Sequence, residues 1–216
     1  PRGSMFNPGP FLYMFKIAVG PLASGVIDIQ APVADNLQEI ARAKGEDIED
    51  LTVVILDRAR HQQLITEVRK TGARIRMIPD GDVAGALMTC LPETGIDVLL
   101  GIGGSPEGVI AACGVRSMGG NIQGKLVSRN DEEIRRGLEI GYQLDQPLSM
   151  EELISSDDIF FAATGITYGD LLHGVDYYAD GARTDSLVVR GLTGTVRRII
   201  ANHRFDKLNR ISSLEY

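Results

Sequence analysis

The chain has no tryptophan, two cysteines and three histidines in 216 residues, and each scarcity removes a class of protein. Cys90 and Cys113 lie among apolar residues of predicted helices, which argues against a secreted disulfide framework and for a reducing cytoplasm. His61, His173 and His203 have no metal-ligand spacing, so a surface or capping role is expected of each. No stretch approaches the roughly 18 uninterrupted apolar residues of a membrane span, and no membrane partner is expected. Positive charge is short as well. A net charge of -7 argues against broad nucleic-acid binding, which needs a basic face, but leaves room for a local basic pocket.

What is present is apolar patterning. Runs rich in β-branched residues alternate with amphipathic stretches about every 25 residues, the signature of βαβ units. Phe15 to Val19, Leu51 to Leu56, Arg74 to Ile78 and Val98 to Leu100 read as strands. Helices are predicted with Val33, Leu37, Ile40 and Ala41 on one face, then through Leu64, Ile65 and Val68, and from about Val83 to Cys90. After a helix from Pro106 to Met118 the pattern changes, with late strands at Ile159, Asp185 and Thr195. The expected fold class is α/β: layered sheets and helices, with a largely parallel sheet followed by late strands. Residues 1–204 read as one continuous unit and 205–216 as a peripheral tail.

In such sheets ligands gather at the carboxyl ends of strands. Three consecutive strand ends here carry polar clusters: Arg58 and Arg60 with His61, then Asp80-Gly81-Asp82, then Gly104 with Glu107. Arginine forks suit a phosphate, and positive charge at a helix start opposes the dipole and so invites an anion. Paired aspartates accept hydrogen bonds from vicinal hydroxyls. Gly101, Gly103 and Gly104 read as a tight turn, with Ser105 as an N-cap and Pro106 as the first helical residue. Glu107 in that first turn either completes a divalent-metal site or merely complements the helix dipole. Asp82 could equally be a simple helix cap. Taken together the residues suggest a phosphorylated polyol, with too few carboxylates to hold two metal ions.

Four ordered segments carry a more specific message: Val54-Ile-Leu-Asp-Arg-Ala-Arg-His61, Ile78-Pro-Asp-Gly-Asp-Val-Ala84, Gly101-Ile-Gly-Gly-Ser-Pro-Glu-Gly-Val109 and Phe161-Ala-Ala-Thr-Gly-Ile-Thr167. In this order they closely resemble the bacterial class II fructose-1,6-bisphosphatases, and Thr195 to His203 fits the same family. The resemblance implies the lithium-sensitive sugar-phosphatase fold. It also implies Mg²⁺- or Mn²⁺-dependent hydrolysis of the 1-phosphate of fructose 1,6-bisphosphate in gluconeogenesis. By motif it puts Tyr13, Arg58 and Arg60 on the distal phosphate and Asp80, Gly81 and Asp82 on sugar hydroxyls. Gly104 would meet substrate through its backbone, and Glu107 would ligate a metal. Ala59 stands where the family often has proline. The family's amino-terminal carboxylates are not in this sequence, so little or no activity is expected of the chain alone. The alternatives are an inactive sugar-phosphate-binding or assembly module, or a phosphatase that also takes sedoheptulose 1,7-bisphosphate. Strands left without partners would expose open edges, so homo-oligomers are expected.

Overall fold

The computed structural model describes residues 1–211. Five of the strands form one sheet in the spatial order β3-β2-β4-β1-β5. They are β1 (Tyr13–Val19), β2 (Thr52–Leu56), β3 (Arg74–Ile78), β4 (Val98–Gly104) and β5 (Asn121–Val127). β2 pairs in parallel with β3 and β4, whereas β1 is antiparallel to both β4 and β5. Four of the five strands therefore run one way, and only β1 opposes them.

Side-chain alternation along each strand feeds two cores. On one face Ile17, Val53, Ile55, Val98 and Leu100 pack with helices α1 (Val33–Lys44) and α2 (Gln62–Thr71) through Leu37, Ile40, Ile65 and Val68. Burying side chains such as Leu37 and Ile40 contributes about 1.5–3 kcal/mol each, so packing rather than intrinsic propensity holds these short helices. On the other face Met14, Ala18, Val54 and Leu99 pack with α3 (Asp82–Met88) and α4 (Ser105–Ser117). Buried residues ring α4 on several sides because a second sheet lies beyond it.

That second sheet is antiparallel. Its central strand β8 (Gly181–Arg190) pairs with β6 (Phe160–Thr164), β7 (Asp176–Tyr178) and β9 (Thr195–Arg204). Phe161, Leu187 and Val189 face α4, and a methyl group on Gly114 would lie 3.3 Å from the Phe161 ring. Its outer surface is open, with Phe160 74% exposed and Ile199 44%. Between the sheets in sequence come α5 (Asp131–Glu139), capped by the Asn130 side chain, and the one-turn α6 (Met150–Leu153), closed by a Ser149/Glu152 capping box. α5 stops at Glu139, just before Gly141. Gly141 there takes a left-handed turn (φ 89°), and the Tyr142 ring packs edge-on against Phe6 and Phe11. The expected tail opens with the short helix α7 (Phe205–Leu208), tied back by a hydrogen bond from the Phe205 N–H to the Asp180 carbonyl. Residues 212–216 of that tail lie outside the described residues.

Candidate functional site

Because β1 runs against its neighbours, its first residue lies beside their last ones. Tyr13 pairs in register with Gly104, the end of β4. The exits of β2 and β3 are joined by a 2.8 Å hydrogen bond from the Asp57 N–H to the Ile78 carbonyl, which puts Arg58 and Asp80 in adjoining loops. Gly81 follows with a left-handed backbone (φ 81°) that starts α3 at Asp82. The structure thus assembles Tyr13, Arg58, Arg60, Asp80, Gly81, Asp82, Gly104 and Glu107 along one end of the sheet.

The glycines serve a different purpose from the tight turn expected of them. β4 continues as strand through Gly104, paired along its whole length with β1. What the missing side chains provide is room. A methyl on Gly101 would lie 3.1 Å from His61 Nε2, one on Gly103 would fall on the Asp82 carboxylate, and one on Gly104 would fall on the Glu107 carboxylate. The extended pairing also moves the helix start. Gly104 is the N-cap of α4 and Ser105 is already helical, with its buried Oγ lacking a hydrogen-bond partner among the described residues. The expectation of Ser105 as the cap is corrected accordingly.

Two guanidinium groups stand at this end without a carboxylate partner among the described residues. Arg60 clasps the Ile102 carbonyl through Nε (3.2 Å) and Nη2 (2.7 Å) and lies 5.2 Å above the centre of the Tyr13 ring. Among the described residues the Arg58 side chain donates only to the adjacent Asp57 carbonyl, at 2.8 Å. Asp80 and Glu107 are exposed and likewise unpaired among the described residues. An exposed cluster of unpaired charges of both signs suits a ligand that carries anionic groups and hydroxyls together.

Beneath them lies a buried layer. The Lys16 ammonium, in a residue 1% exposed, is paired with the Asp82 carboxylate and donates to the Gly104 carbonyl at 3.0 Å. Burial pulls its pKa below the ordinary lysine value, against the opposing attraction of Asp82 and Glu107. His61 is also buried, which corrects the surface role expected of it, and it holds the N-cap position of α2 without a side-chain capping bond. Its Nδ1 lies 2.7 Å from the Leu56 carbonyl and its Nε2 accepts the Ile102 N–H at 2.8 Å. That pattern is satisfied by neutral imidazole protonated on Nδ1, and burial together with the Arg60 and Arg58 charges lowers its pKa. The ring is a bracket between β2 and β4 that steadies the strand to which Arg60 is anchored.

A profile described as bacterial fructose-1,6-bisphosphatase, glpX-encoded, matches residues 1–203. The chain belongs to that family. It is 39% identical over 222 residues to the class 2 fructose-1,6-bisphosphatase of Haemophilus influenzae, covering 97% of this chain and 67% of that protein. With fructose-1,6-bisphosphatase 1 class 2 of Escherichia coli it shares 40% identity over 219 residues, covering 95% of this chain and 65% of the relative. The chain therefore spans about two thirds of the length of these curated relatives.

Family membership draws attention to a divalent ion, and the residues can be tested for one. Among the described residues no group of three or more histidine, cysteine or acidic side chains is placed to hold a metal. Glu107 is one exposed carboxylate folded over Gly104, so these residues do not themselves build a metal centre. Sequence reasoning missed Lys16 and the bracketing role of His61. A lysine within the otherwise apolar run Phe15 to Val19 was the available signal for the first. Nothing in the local sequence announced that His61 reaches Ile102.

Proposed function

We propose that this chain binds fructose 1,6-bisphosphate and supplies the substrate-gripping part of a phosphatase that removes the 1-phosphate. The observation that carries this reading is the pair of carboxylate-free arginines set at the same sheet end as Asp80, Asp82 and Glu107. In it, Tyr13, Arg58 and Arg60 hold the distal phosphate, with the ring and the guanidinium already stacked. Asp80 and Asp82, turned by Gly81, accept the sugar hydroxyls, and the Gly104 backbone lies against the substrate. Hydrolysis would then add water at phosphorus and break its bond to the C1 oxygen, giving fructose 6-phosphate and inorganic phosphate. The part these residues play is to bind and orient the substrate.

Glu107 is assigned as a single ligand to Mg²⁺ or Mn²⁺, and we attribute the other ligands to the third of the relatives' length that the chain does not match. The lack of a metal-holding group among the described residues favours one further reading for the chain by itself: binding without turnover. The free thiols of Cys90 and Cys113 support a cytoplasmic setting, and no helix among the described residues is long and apolar enough to cross a membrane. The ten-residue β9, paired only with β8 among the described residues, supports the self-association expected from open edges.

Titration calorimetry with fructose 1,6-bisphosphate, paired with a phosphate-release assay in Mn²⁺, tests the reading. Saturable binding that weakens in Arg58→Ala supports it. A chain that binds no sugar bisphosphate refutes it, and turnover typical of a metal-dependent phosphatase refutes binding without hydrolysis.

A further inference from the structure

We propose that Lys16 is a positioning residue for sugar recognition, holding Asp82 and the Gly104 carbonyl in the arrangement that meets the substrate's hydroxyls. This rests on the reading of the site as a sugar-bisphosphate pocket and adds a residue to it.

Three observations converge on the amine. It projects from the middle of β1, a strand whose other inward residues, Met14 and Ala18, are apolar and fully buried. Its ammonium links three elements at once: β1, the first residue of α3 through Asp82, and the β4–α4 junction through the Gly104 carbonyl. The space it occupies is reserved, since a methyl on Gly103 would lie 2.9 Å from Nζ and one on Gly108 would lie 3.0 Å from its Cδ. A lysine taken out of water at considerable cost, when methionine would fill the same volume, is explained if its charge is needed.

That need follows from what Asp82 must do. A carboxylate beneath a binding surface can rotate between orientations unless a partner fixes it. The structure shows one oxygen, Oδ2, engaged by Lys16, and the other, Oδ1, has no protein donor among the described residues. Lys16 therefore sets which oxygen is offered to a ligand hydroxyl. The same amine pins the Gly104 carbonyl, so the backbone expected to touch substrate is fixed by the same bond set. Lys16 itself lies beneath this layer and acts through Asp82 and Gly104.

Calorimetry on the full chain, in metal-free buffer with EDTA, separates this role from a general loss of structure. The probes are fructose 1,6-bisphosphate and hexane-1,6-diol bisphosphate, which keeps two phosphates but offers no hydroxyls. The variants are Lys16→Met, Asp82→Asn and the double substitution, which leaves no orphan buried charge and so guards against misfolding of the single variants. Lys16→Met is expected to weaken fructose 1,6-bisphosphate by about tenfold or more, the worth of a hydrogen bond to a charged group, while the diol probe changes little. In the Asp82→Asn background, Lys16→Met is expected to add almost nothing. Equal losses for both probes, or effects of the two substitutions that add fully, overturn the positioning role. Wild-type chain that binds the diol probe but gains nothing from the sugar overturns it too. Wild-type chain that binds neither probe overturns the underlying sugar-bisphosphate reading as well.

Discussion

Gly103→Ala puts the architecture of the site to a quantitative test. Gly103 lies in β4 with no left-handed backbone to preserve, so alanine costs nothing conformationally and stiffens the unfolded chain by about 0.4–1 kcal/mol in favour of folding. The penalty comes from what the methyl meets: the carboxylate of Asp82, with Lys16 Nζ 2.9 Å away. If Asp82 swings aside, a buried ammonium loses its carboxylate, which costs about 3–5 kcal/mol. If the strand and α3 move apart instead, overpacking costs about 1–3 kcal/mol. After the unfolded-state gain, a net loss of about 2 kcal/mol is expected. With a urea slope of about 2–3 kcal/mol per molar, that lowers the unfolding midpoint by about 1 M. Two other glycines calibrate the experiment. A methyl on Gly25 meets nothing within 4 Å, so Gly25→Ala should be neutral or stabilising. The nearest atoms a methyl on Gly104 would meet belong to the exposed Glu107 carboxylate, which can swing into solvent, so Gly104→Ala should cost about 0.5 kcal/mol or less. Urea unfolding followed by circular dichroism reads all three. A Gly103→Ala midpoint equal to that of Gly25→Ala refutes the claim that the glycine reserves space for the buried pair.

Acid should weaken the fold through His61. Its folded pKa lies below the unfolded value of about 6.5, so the unfolded chain takes up the proton first, and stability falls by up to about 1.4 kcal/mol per pH unit below pH 6.5. A His61→Gln variant should lose most of that slope, and an identical slope in both would count against the neutral bracket. His61→Ala, which orphans the Ile102 N–H and the Leu56 carbonyl, should cost about 2–4 kcal/mol in chemical denaturation. Burial pushes the Cys90 thiol up to about 11, so native chain should resist iodoacetamide at that residue at pH 8, as read by peptide mass mapping. Rapid labelling of Cys90 would contradict its packing. Arg58→Ala should weaken bisphosphate binding about tenfold with an unchanged melting temperature, because that side chain makes only one hydrogen bond to its neighbour. A large drop in melting temperature would reassign it to structure.

The large elements were legible because their signals are local. α1 shows its apolar stripe, α2 ends at a left-handed Gly72, and β3 spans the expected Arg74 to Ile78. The start of α4 was misplaced by one residue for a physical reason. Ser-Pro after glycine has the local propensities of a cap, but pairing with β1 carries β4 through Gly104 and overrides them. The same pairing makes Gly101 and Gly103 spacers for His61 and Asp82, a purpose visible only when side chains about 20 and 40 positions away fold across them. Within the candidate site, the exposed charges could be listed from strand-end position. The buried pair of Lys16 and Asp82 could not, since alternation tells which face a side chain takes and not which partner waits there.

The reversed direction of β1 has a last consequence. This strand is the centre-piece that joins β4 to β5, and its first residue stands beside the last residues of both. Trimming through Val19 would therefore split the sheet rather than shorten it, leaving two raw margins and removing Tyr13 and Lys16 together. Conversely, any small molecule gripped between Tyr13 and the far loops acts as a rivet on that strand, so occupancy should shield the front of the polypeptide from proteases well away from the molecule itself.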